Sequence, residues 1–311
     1  MNAVTGTAGL TRAEARLRRR SGTRLMRGVY LDGDAAASLA DRVRAALLVA
    51  PRGAVATGVT TFALAGIAMP DLFKEEADKR VHLLVPPGAA RPRRPEVVIH
   101  SRAAHCRGLV HKLTGLGTAS IAHSWVDAVR RIGLDHSWRW PSDEPPFLRG
   151  RFDSPTKRLL LEAVRFGDGL MRRDKARVQR EALIQCSQAA GKSPGLALVR
   201  TAVQLTRART DSFMETWLRL VVWDAGFPEP TVNYMVRVDG RRRFLDLAWP
   251  EKRIALEYHG RQHFEDSPQA YDDMVRRGLL QDAGWILIEA AHGDIADPSG
   301  LLRRLAKVFN R

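Results

Sequence analysis

Two carboxylates near the carboxyl end of the chain have the types and spacing of a hydrolytic metal site. Asp246 lies in the apolar run 244–249, and Glu257 lies eleven residues later in the run 254–258. The break between the runs, residues 250–253, is polar and begins with proline. Two short apolar runs around such a break predict a β-hairpin.

The predicted hairpin places the two carboxylates opposite each other. A four-residue loop sets the register of the pairs Trp249–Ile254, Leu247–Leu256 and Asp246–Glu257. Opposed side chains of an antiparallel pair lie about 5 Å apart, where like charges are destabilising. A fold keeps such a pair by protonating one member or by holding a cation between them. His259 follows Glu257 by two and points to the same side of an extended strand, so it joins the predicted site.

The segments that would position this site alternate between helix and strand. Apolar periodicity and break residues predict, in order, a helix over 212–225, a strand over 232–238, the hairpin, a helix over 268–283, a strand over 285–289 and a helix over 299–309. This order predicts an α/β domain with a mixed sheet. Ser212 and Glu215 have the spacing of a capping box, so Glu215 either joins the site or only bonds the first helical turn.

The residues around the hairpin resemble a known family. Asp246 and the run 257–263 (EYHGRQH) resemble the D…E-x-D-G-x-x-H signature of a bacterial domain of unknown function. That domain is similar to the very-short-patch-repair endonucleases, within the PD-(D/E)XK nuclease superfamily. Upstream, residues 212–219 (SFMETWLR) resemble its S-P-M-E-S-x-L-R helix. Downstream, Asp273, Arg276 and the run 280–285 (LQDAGW) resemble its D-x-x-R…L-x-x-x-G-W segment.

The resemblance implies a restriction-endonuclease-like domain that hydrolyses phosphodiester bonds of DNA, in phage defence or DNA repair, with Mg²⁺ or Mn²⁺ as cofactor. It implies Asp246, Glu257 and Glu215 as metal ligands, since hard oxygen ligands hold Mg²⁺. These acids, with His259 and with His263 at the rim, form the implied catalytic set. His259 stands where the superfamily pattern has lysine. The alternative is a DNA-binding regulator or antitoxin-like protein with a degenerate nuclease-like domain.

Charge is unevenly distributed along the chain. Residues 1–210 contain 36 Lys and Arg against 18 Asp and Glu, and residues 211–311 contain 14 against 16. The net charges of the two stretches are therefore +18 and −2. A basic front joined to an acidic back favours polyanion binding in the first stretch and metal chemistry in the second. The alternative is the general basic character of an Arg-rich and Ala-rich chain.

Basic residues are concentrated in two places of the amino-terminal part. The first surrounds a predicted helix over 10–20 and a predicted strand with a glycine bend over 24–31, and it contains Arg16, Arg19, Arg20, Arg24 and Arg27. The second lies in a predicted hairpin loop between strands 81–85 and 97–100, and it contains Arg91, Arg93 and Arg94. Guanidinium groups bind phosphate bidentately, so both clusters predict nucleic-acid contacts. The alternative is a solvated surface without a ligand.

The order of the helix and the strand in the first cluster also carries a resemblance. A basic helix followed by R-x-x-R-G-V-Y, here residues 24–30, resembles part of the winged-helix domain of abortive-infection-type antitoxins, the AbiEi-like group. The match is partial, because such domains usually have a further helix before this point and a full recognition helix before the wing. The resemblance implies DNA as a partner, and a toxin or other defence-system protein as a second one.

Length and composition predict three parts. We expect an α+β winged-helix-like domain over 1–104, a helical connecting segment over 105–210 and the α/β restriction-endonuclease-like domain over 211–311. A helix is predicted over 54–69. Two distant cysteines without a CxxC motif indicate neither a disulfide framework nor a structural zinc site. Because no stretch predicts a membrane span or a secretory signal, we expect a cytoplasmic protein without a membrane partner.

Overall fold

The computed structural model describes residues 3–6, 8, 21–33, 36–91, 93–101, 107–111, 114–137, 155–172, 174–259 and 268–310. Within these ranges, the side chains of 107–111, 155, 268–271 and 295–296 are outside the description. The chain divides into two compact units, Met1–Trp138 with Glu181–Val203 and Arg139–Arg180 with Gln204–Arg311. Residues 105–210 thus contribute to both units. The three-part functional division stays a prediction.

A small antiparallel sheet lies at the start of the first unit. Its strands, in the order β1-β3-β2, are β1 (Val4–Gly6), β2 (Gly22–Met26) and β3 (Val29–Asp32). The predicted strand with a glycine bend is therefore a hairpin, in which Gly28 turns the chain with φ +80°. A positive φ is open to glycine because it lacks a Cβ. The predicted helix over 10–20 lies outside the described residues.

A five-stranded mixed sheet forms the centre of the first unit. Its order is β6-β5-β4-β8-β7, with β4 (Val55–Ala56), β5 (Val81–Val85), β6 (Val97–Ser101), β7 (Arg107–His111) and β8 (Leu116–Ala119). The prediction of strands near 81–85 and 97–100 is confirmed, but the predicted hairpin between them is wrong. Val81 pairs with Val97 in a parallel ladder. The eleven-residue loop 86–96 is long enough to return the chain along a strand.

The structure describes four helices in the Met1–Trp138 segment of the first unit. They are α1 (Leu39–Val49), α2 (Gly58–Leu64), α3 (Asp71–Lys79) and α4 (Ile121–Asp135). The predicted helix over 54–69 is wrong in extent, because β4 occupies its start and α2 is only seven residues long. Pairing of β4 with β5 and β8 overrides the helix propensity of this Ala-rich stretch.

The second unit is built on a four-stranded mixed sheet. Its order is β12-β11-β10-β9, with β9 (Thr231–Val238), β10 (Arg241–Trp249), β11 (Ile254–His259) and β12 (Ile286–Ala291). β10 is antiparallel to both β9 and β11, and β12 is parallel to β11. The prediction of an α/β arrangement with a mixed sheet is confirmed.

Seven further helices are described, and the three predicted over 212–225, 268–283 and 299–309 are among these seven. They are α5 (Pro155–Leu170), α6 (Arg180–Ala189), α7 (Leu196–Leu205), α8 (Phe213–Asp224), α9 (Pro268–Asp282), α10 (Gly293–Ala296) and α11 (Ser299–Phe309). Of the helices that the structure describes, none has both the length and the apolar character that crossing a bilayer requires.

Apolar residues of the sheet and of α9 fix the position of the hairpin. Leu245, Ala248 and Ala255 are fully buried against Leu280 and Trp285. Gly284 ends the helix with φ +83°, and the next strand then docks on β11 through a hydrogen bond from Ile286 N to Arg253 O of 2.8 Å. The hairpin that carries the two acids is therefore held on one side by apolar burial and on its edge by a parallel strand.

A buried ion pair connects α5 with α8 in the second unit. Arg219 and Asp168 are 1% and 0% exposed, and Arg219 Nη2 donates to Asp168 Oδ2 at 2.9 Å. Burial raises the pKa of Asp168, while the charge of Arg219 and donors from Arg207 N and the Thr216 hydroxyl oppose that rise. The carboxylate is thus retained in the interior because each of its oxygens has a donor.

We expect Arg219→Ala to destabilise the protein by about 3–5 kcal/mol, because Asp168 would remain buried without its cation. The measurement is urea unfolding followed by circular dichroism. Lys79→Ala is the control, since Lys79 forms a solvent-exposed ion pair with Glu75 and such pairs contribute little. A loss from Arg219→Ala no larger than that of the control would contradict this assignment.

Candidate active site

The hairpin adopts the predicted register around its turn. Trp249 pairs with Ile254 and Leu247 pairs with Leu256, and a short 3₁₀ turn, Pro250–Lys252, connects the strands. These two pairs confirm the predicted register. Beyond the Leu247–Leu256 pair, a side chain takes part in the contact between the strands: Tyr258 N donates to Asp246 Oδ2 at 3.0 Å. The carboxylate of Asp246 thus bonds to the neighbouring strand directly.

The charge of Asp246 is poorly stabilised. Burial, the largest cause, raises the pKa of Asp246 from 3.8 to about 6, against the opposing donation from Tyr258 N. The negative charges of Glu257 and Asp211 add to the rise, and the charge of Arg276 reduces it. Asp246 and Glu257 are therefore close enough to repel each other, as the sequence predicted.

Glu257 is neutralised by an arginine of α9. Arg276 Nη1 donates to Glu257 Oε2 at 3.0 Å, and Arg276 Nη2 donates to Glu257 Oε1 at 2.5 Å. The same Nη2 also donates to the carbonyl of Phe244 at 2.9 Å. A bidentate pair of this kind fixes both groups in one plane. Both oxygens of Glu257 are thus engaged by a protein cation.

Glu215 lies at the start of α8 and serves partly as a cap. Ser212 Oγ accepts from Glu215 N at 3.2 Å, which confirms the predicted N-cap. Glu215 Oε2 accepts from Asp211 N at 2.9 Å and from Asn233 Nδ2 at 3.1 Å. Burial is the largest cause of the rise in the pKa of Glu215 to about 7. The hydrogen bond from Asp211 N opposes this rise, and repulsion from the charge of Asp246 adds to it. Glu215 is therefore both a helix cap and an electrostatic neighbour of Asp246.

Two residues of this site were missed by the sequence reasoning. Asp211 precedes the helix cap, and its charge raises the pKa of both Asp246 and Glu215. Asn233 is buried on β9 in a left-handed conformation, with φ +48°, and its amide also bonds Arg209 O at 2.6 Å. A polar residue at an inward position of a predicted strand is the signal that could have identified Asn233.

The two predicted histidines have different outcomes. His259 Nε2 lies 3.5 Å from Glu289 Oε1 on β12, and Glu289 also pairs with Arg277. The imidazole is thus placed at the carboxyl end of β11, two residues after Glu257. His263 lies outside the described residues, so its predicted position at the rim stays a prediction.

Two of these acids, Asp246 and Glu215, are candidates for direct contact with a divalent cation. Among the described residues, no three His, Cys, Asp or Glu side chains come together around one ion position. Mg²⁺ usually keeps several waters and uses one or two protein carboxylates together with substrate phosphates. Asp246 and Glu215 fit that requirement, because each has a raised pKa that a nearby cation would lower. Both oxygens of Glu257 are bonded to Arg276.

The described arginines of the two predicted clusters line neighbouring pockets of the first unit. An open pocket of about 660 Å³ is lined by Arg24 and Arg27 from the β2–β3 hairpin and by Arg93 and Arg94 from the loop 86–96. Arg94 Nη1 donates to the carbonyl of Arg27 at 2.8 Å, which joins the two segments. Residues distant in sequence thus form one basic face.

A second pocket extends this basic face. It has a volume of about 610 Å³ and shares Arg93 and Arg94 with the first. Arg91 also lines it, together with Arg80 and Arg131, which the sequence reasoning did not include. Arg16, Arg19 and Arg20 lie outside the described residues, so their predicted nucleic-acid contacts stay a prediction.

Comparison with known proteins gives a limited likeness. No family model and no solved structure matches the chain. Part of it is similar to two Mycobacterium tuberculosis proteins, Uncharacterized protein MT2308 of strain CDC 1551 and Uncharacterized protein Rv2248 of strain H37Rv. Each is 29% identical over 119 residues, which cover 38% of this chain and 44% of the relative. The chain therefore matches less than half the length of these relatives, and their names state no activity.

Without added metal, Asp246→Asn is expected to raise the free energy of unfolding at pH 8 by about 1–3 kcal/mol and to change it little at pH 4. A carboxyl whose pKa is raised on folding stabilises the fold at low pH, and that contribution is lost as pH rises through about 6. Asparagine keeps an oxygen acceptor for Tyr258 N but carries no charge. The measurement is urea unfolding at both pH values in EDTA.

Asp239→Asn is the matched control for this prediction. Asp239 is exposed on the turn between β9 and β10 and already has φ +51°, a conformation that asparagine tolerates. It should have little effect at either pH. Equal destabilisation by Asp246→Asn at pH 4 and pH 8 would show that the charge of Asp246 is not strained in the fold.

Proposed function

We propose that this chain is a divalent-metal-dependent endodeoxyribonuclease with a basic DNA-binding face in its first unit. The observation that carries the proposal is the electrostatic coupling of Asp246 on β10 with Glu257 on β11 and with Glu215 at the start of α8. Burial is the main cause of the raised pKa values of Asp246 and Glu215, and repulsion from neighbouring carboxylates adds to it. Groups perturbed in this way are concentrated at functional sites. The resemblance to very-short-patch-repair-like endonucleases within the PD-(D/E)XK superfamily points to the same chemistry.

In this proposal, Asp246 and Glu215 hold the cation through carboxylate oxygens. A bound Mg²⁺ or Mn²⁺ would polarise the scissile phosphodiester and lower the pKa of the attacking water. Glu257 stays paired with Arg276, which fixes the carboxylate beside Asp246 and places a permanent positive charge at the site. Because Asp246 and Glu215, with pKa values of about 6 and about 7, are partly protonated just below neutral pH when no metal is present, their ionisation and cation binding are coupled.

His259 has the role of orienting water or stabilising charge in the proposal. Its contact with Glu289 restricts the imidazole, and Arg277 pairs with the same oxygen of Glu289. A histidine changes its charge between about pH 5 and 8, whereas the lysine of the superfamily pattern is a fixed cation.

A second candidate function is a DNA-binding regulator with a degenerate nuclease-like domain. The bidentate Arg276–Glu257 pair favours it, because an internal cation already neutralises one of the acids implied as metal ligands. The AbiEi-like resemblance of residues 24–30 also suits a regulator, with a toxin or another defence-system protein as partner. Both candidates bind DNA, and only the first cleaves it.

Supercoiled plasmid nicking separates the two candidates. Wild type is expected to nick DNA with Mg²⁺ or Mn²⁺ and to lose this activity in EDTA. Asp246→Asn should reduce the rate by at least about a hundredfold, since it removes a metal ligand, and Asp239→Asn, prepared in the same way, should retain it. If wild type leaves the plasmid intact with both metals, or if Asp246→Asn nicks it as fast as wild type does, the DNA-binding regulator becomes the favoured function.

DNA affinity should fall steeply with salt concentration if the basic face binds phosphates. Each neutralised phosphate contributes roughly −0.9 to the slope of log affinity against log salt on duplex DNA. Arg93→Gln and Arg27→Gln should each weaken binding and make this slope less negative by about one contact. The measurement is fluorescence anisotropy with a labelled duplex from 50 to about 300 mM salt.

Arg303→Gln is the control for this titration, because it removes the same charge from α11 in the other unit. Its slope should equal that of wild type. If all three variants lose the same affinity, net charge rather than the basic face determines binding.

A further inference from the structure

Asn233 interrupts the regular geometry of β9 next to the acidic site. Ladder pairs flank it on both sides in one register, and Asp246 occupies the corresponding position of β10. The backbone of Asn233 has φ +48°, whereas an antiparallel strand has φ of about −140°. Asparagine is one of the few residues other than glycine that adopt this left-handed conformation. The chain therefore departs from sheet geometry at the position that faces Asp246.

A second left-handed residue contacts the first. Arg209 has φ +72°, and Asn233 Nδ2 donates to its carbonyl oxygen at 2.6 Å. The other described residues with positive φ that are not glycine, Ser137, Asp239 and Arg253, are in turns. Two strained positions thus meet at one side-chain amide. Strain of this kind persists only where the surrounding structure imposes it, and it is concentrated at functional sites.

The side-chain nitrogen of Asn233 has two acceptors. Besides the carbonyl of Arg209, it donates to Glu215 Oε2 at 3.1 Å. An amide nitrogen carries two hydrogens, so these two bonds use both. The reverse orientation would place the amide oxygen against a carbonyl and a carboxylate, which have no hydrogen to donate when the acid is ionised. The two acceptors therefore fix the amide with its nitrogen toward Glu215.

The two oxygens of Glu215 have different surroundings. Oε2 accepts from Asn233 and from Asp211 N, the latter at 2.9 Å. In Asp246, likewise, Oδ2 accepts from Tyr258 N at 3.0 Å. Within the described part of the chain, neither Glu215 Oε1 nor Asp246 Oδ1 accepts a hydrogen bond. Each acid thus uses one oxygen to hold its place in the fold and keeps the other for a ligand.

We propose that Asn233 is a positioning residue of the metal site, which holds Glu215 by Oε2 so that Oε1 stays available to a divalent cation. This role rests on the proposed function, because it takes Glu215 and Asp246 as cation ligands, but it does not require cleavage of DNA. Asn233 and Glu215 are 5% and 4% exposed, so water has little access to replace the bond. Hydrogen bonds that orient a ligand change metal affinity by about 10–100-fold when they are removed.

Asn233→Gly tests this role, because it removes the amide and keeps a left-handed backbone that glycine adopts without strain. In calorimetric titration of the folded protein at pH 8, the Kd for Mn²⁺ should rise by about tenfold or more. A merely structural role would lower the free energy of unfolding and leave the affinity of the folded protein unchanged. A folded Asn233→Gly variant with the Kd of wild type would overturn the proposal.

Asp239→Gly is the matched control. Asp239 is exposed on the turn that follows β9 and has φ +51°, so both substitutions place glycine at a left-handed position of the same hairpin. The control should bind Mn²⁺ as wild type does. If it weakens binding as much as Asn233→Gly, the added backbone freedom rather than the lost amide is responsible, and the proposal fails.

Nuclear magnetic resonance of wild type gives a second readout that does not depend on the variant. The chain has three asparagines, Asn2, Asn233 and Asn310, so ¹⁵N-asparagine labelling gives three side-chain amide groups. Mg²⁺ should shift the signals of Asn233, because the carboxylate to which it donates gains a new partner. Asn310, exposed at the end of α11, should not shift. Asn233 signals that stay unchanged at saturating Mg²⁺ would contradict the role, even if Asn233→Gly does not fold.

Plasmid nicking by the same samples separates this role from the proposed function. If wild type binds Mn²⁺ without nicking DNA and Asn233→Gly binds it more weakly, nuclease activity is contradicted and the positioning role stands. If wild type nicks DNA while Asn233→Gly keeps the wild-type Kd, only the positioning role is contradicted. Wild type that binds neither Mn²⁺ nor Mg²⁺ would overturn both.

Discussion

Burial of like charges around the β10–β11 hairpin of the second unit is the constraint on which the proposed metal site depends. Asp246 lies near the negative charges of Asp211 and Glu257, and Glu215 lies near those of Asp211 and Asp246. Arg276 bonds directly to Glu257. Apolar packing of the hairpin against Leu280 and Trp285 keeps the acids in place despite their repulsion. The site therefore has an excess of negative charge that a proton or a metal ion can neutralise.

Elsewhere in the same unit, a buried acid is balanced within the protein. Asp168 has Arg219, a backbone N–H and a threonine hydroxyl, so its carboxylate needs no external ligand. The contrast distinguishes Asp246 and Glu215, whose partners are backbone groups and one amide that supply no full positive charge.

Much of the second unit could be predicted from sequence, because its strands and helices are short, regular and separated by distinct break residues. The polar break 250–253, which begins with Pro250, predicted a four-residue loop, and the register of Trp249 and Leu247 followed from that loop length. The parallel pairing of β5 with β6 could not be predicted, since a loop of eleven residues suits either direction. The Arg276–Glu257 pair was also beyond prediction, because it depends on how α9 packs against the sheet.

The most direct test of the central claim is calorimetric titration of Mn²⁺ into the protein at pH 6.5, in buffers of different ionisation enthalpy. Since the pKa values of Asp246 and Glu215 are about 6 and about 7, binding should release about one proton per ion at this pH and fewer at pH 8. Asp246→Asn should weaken binding and reduce the release. Absence of binding, or binding at pH 6.5 that releases no proton, would contradict a cation site at these carboxylates.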